Sequence, residues 1–241
     1  MRPSRPLLPA PFELLVLDAG GLLVSNQLLA LFAELARAAG VSVHRVHALH
    51  HQLRHRLWCG QINEPTFWST MFESLGLAHD PDRWRARMGH LLGPGIPART
   101  LERWSGHIPV WLLSNHRSEW LLPALERHGL TRHLERVVVS DIVGVAKPDP
   151  AIYELVEARA GHAPQRLLFV DDRPRNLRPA RHRGWHTIRA DRHGRWTGTV
   201  DRLLTAGYEP LPPVADQRGA ETAEPVVPTT STQLQPPHAV T

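Results

Sequence analysis

The sequence predicts an α/β fold: a Rossmann-like, doubly wound parallel sheet with an α-helical cap inserted after its first strand. Three observations support this prediction. Short apolar runs alternate with amphipathic segments, which is typical of a parallel sheet covered by helices on both faces. Polar side chains follow each apolar run. A block of helical segments interrupts the alternation after the first run.

Four apolar runs have the length and flanking residues of buried strands. They cover residues 13–18, 108–113, 137–139 and 166–170. Amphipathic segments that follow the second, third and fourth strands are predicted as helices at 119–128, 150–160 and 176–183. The first run leads directly into Gly20 and Gly21, which favour a tight turn.

The remaining segments set the domain organisation. Helical patterns at 27–39, 43–58, 64–75 and 81–92 predict a cap over residues 24–100. Core segments at 12–23 and 101–208 flank this cap. Residues 1–11 are predicted as a disordered lead and residues 209–241, rich in Pro, Thr, Ala and Gln, as a disordered tail. Two cap tryptophans, Trp58 and Trp68, are candidates to line a substrate pocket.

Composition narrows the function classes. The net charge is +5 and the isoelectric point about 10.5, but the basic residues are dispersed among acids without a zinc-finger or RNA-binding pattern, so nucleic acid is disfavoured. The apolar runs are far shorter than the ~20 residues of a membrane span. A single cysteine, Cys59, suits a reducing cytoplasm, which we predict as the location. The sequence carries no signal for an oligomeric state.

The basic residues include one lysine. It is Lys147, while the other positions of the 28 carry arginine. A lysine ammonium is a compact, movable point charge, and arginine does not replace it where one charge must meet several oxygens. We therefore expect Lys147 to have a specific role.

Polar residues stand where the predicted strands end. They are Asp18, Ser114 with Asn115, Ser140 with Asp141, and Asp171 with Asp172. Ligands of parallel sheets bind at this edge. There Asp18 could attack a phosphorus centre, a metal shared with Asp172 and the Lys147 ammonium could screen the charge, and Ser114 and Asn115 could donate hydrogen bonds to the phosphoryl group. Magnesium suits such oxygen ligands.

Four signatures in this order resemble those of the haloacid dehalogenase-like hydrolase superfamily over residues 12–200. They are Leu17-Asp18-Ala19-Gly20-Gly21-Leu22, Leu113-Ser114-Asn115, Lys147-Pro148-Asp149-Pro150, and Val170-Asp171-Asp172 with Asn176. The chain is similar to the branch with a small helical cap, which includes phosphatases of sugar phosphates and related metabolites.

The resemblance implies a role for each site residue. Asp18 is the nucleophile that forms an aspartyl-phosphate, and Lys147 steadies both the nucleophile and the phosphate. Ser114, with Asn115 beside it, binds the phosphate. Mg²⁺ is held by Asp18, the backbone carbonyl of Gly20 and Asp172. Supporting roles fall to Asp171 and Asn176.

Three positions depart from the family pattern: Leu22 stands where Thr or Val is usual, Asn176 stands where an acid is common, and the departure that matters most is Gly20. Phosphatases of the family usually carry a second aspartate, a general acid and base, where this chain has Gly20. The leading expectation is a Mg²⁺-dependent phosphatase of a small phosphorylated metabolite, with His50, His51 or His116 as replacements for the missing group. Two alternatives stay open: a catalytically weak or inactive ligand- or partner-binding protein, and a metal-independent 2-haloacid dehalogenase.

Overall fold

The computed structural model describes residues 12–25 and 28–205. The predicted disordered lead at 1–11 and tail at 209–241 lie outside the described residues. The strands are β1 (Leu14–Leu17), β2 (Val110–Ser114), β3 (Arg136–Val139), β4 (Leu167–Asp171) and β5 (His186–Arg189). Within the described part of the chain they form one parallel sheet in the order β3-β2-β1-β4-β5.

A helical region of five helices fills the connection between β1 and β2. These helices are α1 (Leu28–Ala39), α2 (Val43–Trp58), α3 (Glu64–Leu75), α4 (Pro81–Leu91) and α5 (Ala98–Ser105). The rest of the described chain adds α6 (Ser118–Arg127), α7 (Ser140–Val143), α8 (Pro150–Ala160), α9 (Pro174–His182) and α10 (Arg195–Thr205). None of the helices described here has the length and apolarity needed to cross a membrane.

The central strand shows why the apolar runs are continuous. Every residue of β1 is buried. Leu15 and Leu17 pack into a large apolar cluster on one face of the sheet, which the cap helices share. Leu14 and Val16 pack on the other face against α8 and α9. A strand buried on both faces has no solvent side, so it carries no alternation of polar residues.

Local signals begin and end the cap helices. The side chain of Asn63 accepts a hydrogen bond of 2.9 Å from the backbone N–H of Thr66 and so caps the start of α3. Gly76 ends α3 with φ of 66°, in the left-handed region that glycine adopts without strain. The boundaries of α3 thus follow from its own sequence.

The predicted α/β fold with an inserted helical region is confirmed. β1 to β4 correspond to the four predicted strands, and the predicted helices are present. The sequence prediction missed β5, α5, α7 and α10. β5 is a half-buried edge strand with the polar sequence His-Thr-Ile-Arg, so it lacks an apolar run. α5 spans the predicted boundary between cap and core at residues 100 and 101.

The cap is held against the core by α6 and the turn before it. The buried Arg117 side chain donates to the backbone carbonyls of Leu57 and Ile62, both at 3.4 Å, and pairs with Glu119. Trp120 Nε1 donates to Glu64 Oε1 at 2.7 Å. These contacts join the segments α2 and α3 to the carboxyl end of β2, next to the polar edge of the sheet.

Candidate active site

The polar residues that follow β1, β2 and β4 converge at one edge of the sheet. A single cavity is lined by Asp18, Gly20, Ser114, Asn115, Lys147 and Asn176. Asp18 follows β1 directly, and Ser114 is the last residue of β2. Lys147 lies in the loop between α7 and α8. Segments separated by more than a hundred residues therefore meet around one space.

Lys147 is at the centre of this edge, and only 3% of it is exposed. Its Nζ donates three hydrogen bonds: 2.9 Å to Asp18 Oδ1, 2.7 Å to Asp171 Oδ2 and 2.6 Å to the Leu113 carbonyl oxygen. All three N–H bonds of the ammonium are thus used. Burial lowers the pKa of Lys147, but the Asp18 and Asp171 carboxylates outweigh it and raise the pKa above its ordinary value.

Asn115 fixes the backbone of Lys147. Its Nδ2 donates to the Lys147 carbonyl oxygen at 2.6 Å, and its Oδ1 accepts from the Lys147 N–H at 2.8 Å. The sequence suggested that Asn115 binds the substrate. The observed contacts instead support a positioning role, because both ends of the amide hold the loop that carries the ammonium.

Asp171 is fully buried and its oxygens are occupied. Asn176 Nδ2 donates to both of them, at 3.0 and 2.9 Å, and the Arg173 N–H donates to Oδ1 at 2.8 Å. Tyr153 in turn donates its hydroxyl hydrogen to the Asn176 carbonyl oxygen at 2.6 Å. Asp171 therefore balances the charge of Lys147 and has little capacity left for another ligand.

Asp172 differs from its neighbour. Its Oδ1 is buried and accepts no hydrogen bond from the described residues; Arg173 Nε lies 3.8 Å away. Asp141 Oδ1 and Asn176 Oδ1 are likewise buried in the described chain without a hydrogen-bond donor, and Asn176 belongs to the same edge of the sheet as Asp172. Buried acceptors without partners are rare and costly, so an unpartnered pair indicates room for a cation or water.

The donor set fits a magnesium ion. Asp18, Asp171 and Asp172 have oxygens within 4.8 Å of one another. Because Asp171 is saturated by hydrogen bonds, Asp18 and Asp172 are the two carboxylates free to hold the ion. Carboxylate and carbonyl oxygens are the ligands that magnesium prefers. The turn after Asp18 comes close to this pair: a Cβ added at Gly21, whose φ is 81°, would lie 3.5 Å from Asp172 Oδ2.

The pKa values of the two carboxylates also favour a cation between them. Burial raises the pKa of Asp18 to about 6, against the charge of Lys147 and with a further contribution from Asp171. Burial and Asp171 also raise the pKa of Asp172. Crowded carboxylates resist ionisation together, and a divalent cation between them relieves that repulsion.

Apolar side chains line much of the rest of the cavity, and the remaining lining residues are Ser25, His50, His116 and Arg173. We name this set the apolar wall: Leu28, Trp58, Met88, Leu91, Leu92 and Trp120. Of the two tryptophans proposed from sequence, Trp58 belongs to it. Trp68 does not, because it is fully buried among the cap helices with its Nε1 bonded to Glu64 at 3.0 Å. The sequence analysis missed the other five members.

Two of the three candidate histidines also line the cavity. The Nδ1 of His116 lies 3.0 Å from the Arg117 carbonyl oxygen, so Nδ1 carries the proton and Nε2 keeps its lone pair. Burial lowers the pKa of His116. Burial and the charge of Arg54 lower the pKa of His50 to about 3. His51 is exposed and contacts Arg54 at 2.8 Å, outside the cavity lining.

The fold and this edge define the class of protein. Residues 12–184 match the family model of the haloacid dehalogenase-like hydrolases. The chain belongs to this family, as the four signatures predicted.

The relatives of this chain include both haloacid dehalogenases and phosphatases. The chain is 36% identical over 99 residues to (S)-2-haloacid dehalogenase 4A of Burkholderia cepacia, covering 40% of this chain and 42% of that protein. It is 28% identical over 144 residues to a phosphoserine phosphatase of Thermus thermophilus, covering 56% and 57%. The chain thus spans about half the length of the curated relatives it matches.

The architecture is shared with solved structures. One is a family enzyme of Bacteroides thetaiotaomicron in complex with magnesium and inorganic phosphate, with a TM-score of 0.64 and 20% identity. The superposition covers 78% of this chain and 98% of that one. At this identity the likeness shows the fold.

Proposed function

We propose that the protein is a Mg²⁺-dependent phosphatase that hydrolyses a phosphomonoester of a small metabolite through an aspartyl-phosphate on Asp18. The observation that carries the proposal is the buried Asp172 Oδ1, which lacks a hydrogen-bond donor among the described residues and shares the strand-end edge with Asp18 and Lys147. A carboxylate with one bare oxygen beside a second carboxylate is the arrangement expected of a metal site.

The site residues divide the reaction between them. An oxygen of Asp18 forms a bond to phosphorus while the bond from phosphorus to the alcohol oxygen breaks and that oxygen leaves with the electron pair. Lys147 holds the Asp18 carboxylate by a 2.9 Å hydrogen bond, and Ser114 lines the cavity where the phosphoryl oxygens would lie. When held by Asp18, the Gly20 carbonyl and Asp172, Mg²⁺ supplies positive charge that lets two anions approach.

Hydrolysis of the aspartyl-phosphate needs a base for water, which Gly20 does not provide. We assign this role to His116, because its Nε2 keeps a lone pair and the residue lines the same cavity as Asp18. Its lowered pKa keeps the ring neutral at physiological pH, which is the form that accepts a proton. Asn115, Asp171 and Asn176 act by positioning Lys147 and its carboxylate partners.

A 2-haloacid dehalogenase is the second candidate. The 36% identity to the Burkholderia cepacia enzyme and the absence of an aspartate at position 20 favour it. Against it stands the buried Asp172 Oδ1, which has no hydrogen-bond donor among the described residues and for which a metal-independent reaction gives no role. The cytoplasmic location remains a prediction from the single cysteine.

The test is a comparison of substrates and metal. We expect hydrolysis of phosphomonoesters that requires Mg²⁺, stops in a chelator and is abolished by Asp18→Asn. Release of chloride from 2-chloropropionate in the chelator would instead establish the dehalogenase. Binding of phosphorylated ligands without turnover of either substrate would support the inactive binding protein.

A further inference from the structure

We propose that the substrate is a phosphate ester of an aromatic hydroxyl group, a phenol, and that the apolar wall binds its ring. This inference rests on the proposed phosphatase function and names the substrate class of the same site. Two separate features of the cavity support it: the chemistry of its lining and the missing proton donor at position 20.

The apolar wall faces the same space as the nucleophile. Trp58 and Trp120 contribute aromatic rings, and the aliphatic members come from α1 and α4 and the residue after it. A sugar presents many hydroxyl groups, and burying them against such a wall would leave hydrogen bonds unmade. An aromatic ring gains from the same contacts, and aromatic pairs add edge-to-face attraction.

Two polar groups beside the apolar wall are already hydrogen-bonded to other protein groups. Ser25 Oγ donates to the Leu91 carbonyl at 2.9 Å and accepts from the Gly93 N–H at 2.9 Å. Trp120 Nε1 is bonded to Glu64. These groups line or border the cavity but are committed to the protein, so they do not serve a polyhydroxylated substrate.

The described residues also provide no good proton donor for the leaving oxygen. Gly20 has no side chain. Lys147 spends all three N–H bonds on Asp18, Asp171 and Leu113. His116 directs its Nδ1 proton to the Arg117 carbonyl oxygen, and His50 is buried in an apolar setting that disfavours its charged form. The leaving oxygen must therefore depart as an anion.

The identity of the alcohol then decides the rate. A phenol has a pKa of about 10, like a tyrosine side chain, whereas an alkyl alcohol is close to water at about 15.7. A phenoxide leaves phosphorus with the electron pair and takes its proton from solvent afterwards. Water then attacks the aspartyl-phosphate, which gives inorganic phosphate and restores the Asp18 carboxylate. Atoms and charge balance without any further reactant.

Three esters separate the two features. Phenyl phosphate and 2-phenylethyl phosphate share an apolar ring but differ in leaving-group acidity. Glycerol 1-phosphate, also a primary alkyl ester, replaces the ring with hydroxyl groups. With Mg²⁺, we expect kcat/KM for phenyl phosphate to exceed that for 2-phenylethyl phosphate by about 10²–10⁴-fold, the usual contribution of a positioned acid. We expect 2-phenylethyl phosphate to exceed glycerol 1-phosphate by about 10-fold.

Position 20 offers a matched pair of variants. Gly20→Asp adds the missing carboxyl group, whereas Gly20→Asn adds the same bulk without an acid. We expect Gly20→Asp to raise kcat/KM for 2-phenylethyl phosphate at least about 10-fold more than for phenyl phosphate, and Gly20→Asn to give no such selective gain. Equal gains for both esters, or a selective gain with Gly20→Asn, would overturn the leaving-group argument.

Two cap tryptophans test the wall. Trp58→Ala should raise KM for phenyl phosphate about 10-fold and leave KM for glycerol 1-phosphate unchanged. Trp84→Ala, which removes a buried ring outside this cavity, should change KM for neither ester. Wild-type preference for glycerol 1-phosphate over 2-phenylethyl phosphate overturns this inference and leaves the phosphatase intact. Failure to hydrolyse any phosphomonoester overturns the proposed function itself.

Discussion

Two regions border the same cavity and are built in opposite ways. The strand-end cluster, comprising Asp18, Lys147, Asp171, Asp172 and Asn176, is a largely buried network of charges and short hydrogen bonds that reaches the cavity through Asp18, Lys147 and Asn176. The apolar wall is a set of side chains without a charge. In the cluster, Asp18, Lys147 and Asp171 are each held by specific hydrogen-bond partners. In the wall, shape and apolar area matter more than identity.

Under the proposed function, the cluster carries out the reaction and the apolar wall selects the substrate. Buried charges offset the free energy of their burial only when their partners lie in good hydrogen-bonding geometry, so the cluster allows little variation. Apolar contacts are non-directional and tolerate volume-conserving exchange. We therefore expect substitutions in the cluster to abolish turnover and alter stability, and substitutions in the wall to change which ester is preferred.

The largest effect is expected at Lys147. Lys147→Met leaves two buried carboxylates without their shared cation, which should lower the free energy of unfolding by about 3–5 kcal/mol and turnover by roughly 10³-fold or more. Urea unfolding and kcat/KM measure the two effects. Lys147→Arg keeps the charge and should recover more stability than activity. Full turnover by Lys147→Met would show that the cluster is not the reaction centre.

Asp172 should control metal binding. Mg²⁺ at about 100 times its dissociation constant should stabilise the wild-type protein by about 2.7 kcal/mol, seen as a rise in Tm. Asp172→Asn should lose most of that rise. The matched control is Asp82→Asn, a highly exposed carboxylate on α4, which should keep it. An equal rise in Asp172→Asn and the wild type would place the ion elsewhere.

The raised pKa of Asp18 predicts a pH-dependent stability in metal-free buffer. The folded-state pKa of about 6 lies above the ordinary 3.8, so the folded protein binds more protons and its free energy of unfolding falls as pH rises through this window. Asp18→Asn lacks the titration. Its free energy of unfolding relative to wild type should therefore rise by on the order of 2–3 kcal/mol between those pH values.

Chemical denaturation at a series of pH values in chelator measures this difference. Added Mg²⁺ should reduce it, because the cation stabilises the ionised carboxylate of the wild type. A difference independent of pH would mean that Asp18 is ionised in the folded protein throughout the window.

The smallest effect is expected where the wall meets the core. Trp120→Phe keeps an aromatic ring but removes the indole N–H and its 2.7 Å hydrogen bond to Glu64. Stability should fall by about 1–3 kcal/mol, and KM should rise more than kcat falls if the apolar wall binds the substrate as proposed. Trp111→Phe, which loses a 3.2 Å bond to Glu135 on the core, serves as the control and should leave KM unchanged.

The same contrast explains what could be predicted from the sequence. The members of the cluster follow strands, and strand ends of a parallel sheet meet by geometry, so Asp18, Ser114 and Asp172 could be grouped in advance. The wall draws on α1, α2, α4 and α6, and no local pattern states which helix faces meet. Hence Trp58 and Trp68 looked equivalent, although one lines the cavity and the other is buried in the cap.

Hydrogen-bond partners could not be predicted from the sequence either. Asn115 was grouped with Ser114 because both side chains can donate hydrogen bonds to a phosphoryl group, but its amide is bonded to Lys147, which is 32 residues away. Strand β5 was missed because an edge strand that is half exposed has no apolar signature. Such features depend on tertiary partners that a single sequence does not specify.

The central claim is that Asp18 carries the phosphoryl group. The direct measurement is mass spectrometry of the protein quenched in acid during turnover of phenyl phosphate with Mg²⁺. We expect one added phosphoryl group on the peptide that contains Asp18, absent in Asp18→Asn and increased in His116→Ala, where hydrolysis of the intermediate is slowed. Steady turnover with no phosphorylated peptide in the wild type or in His116→Ala would contradict the account.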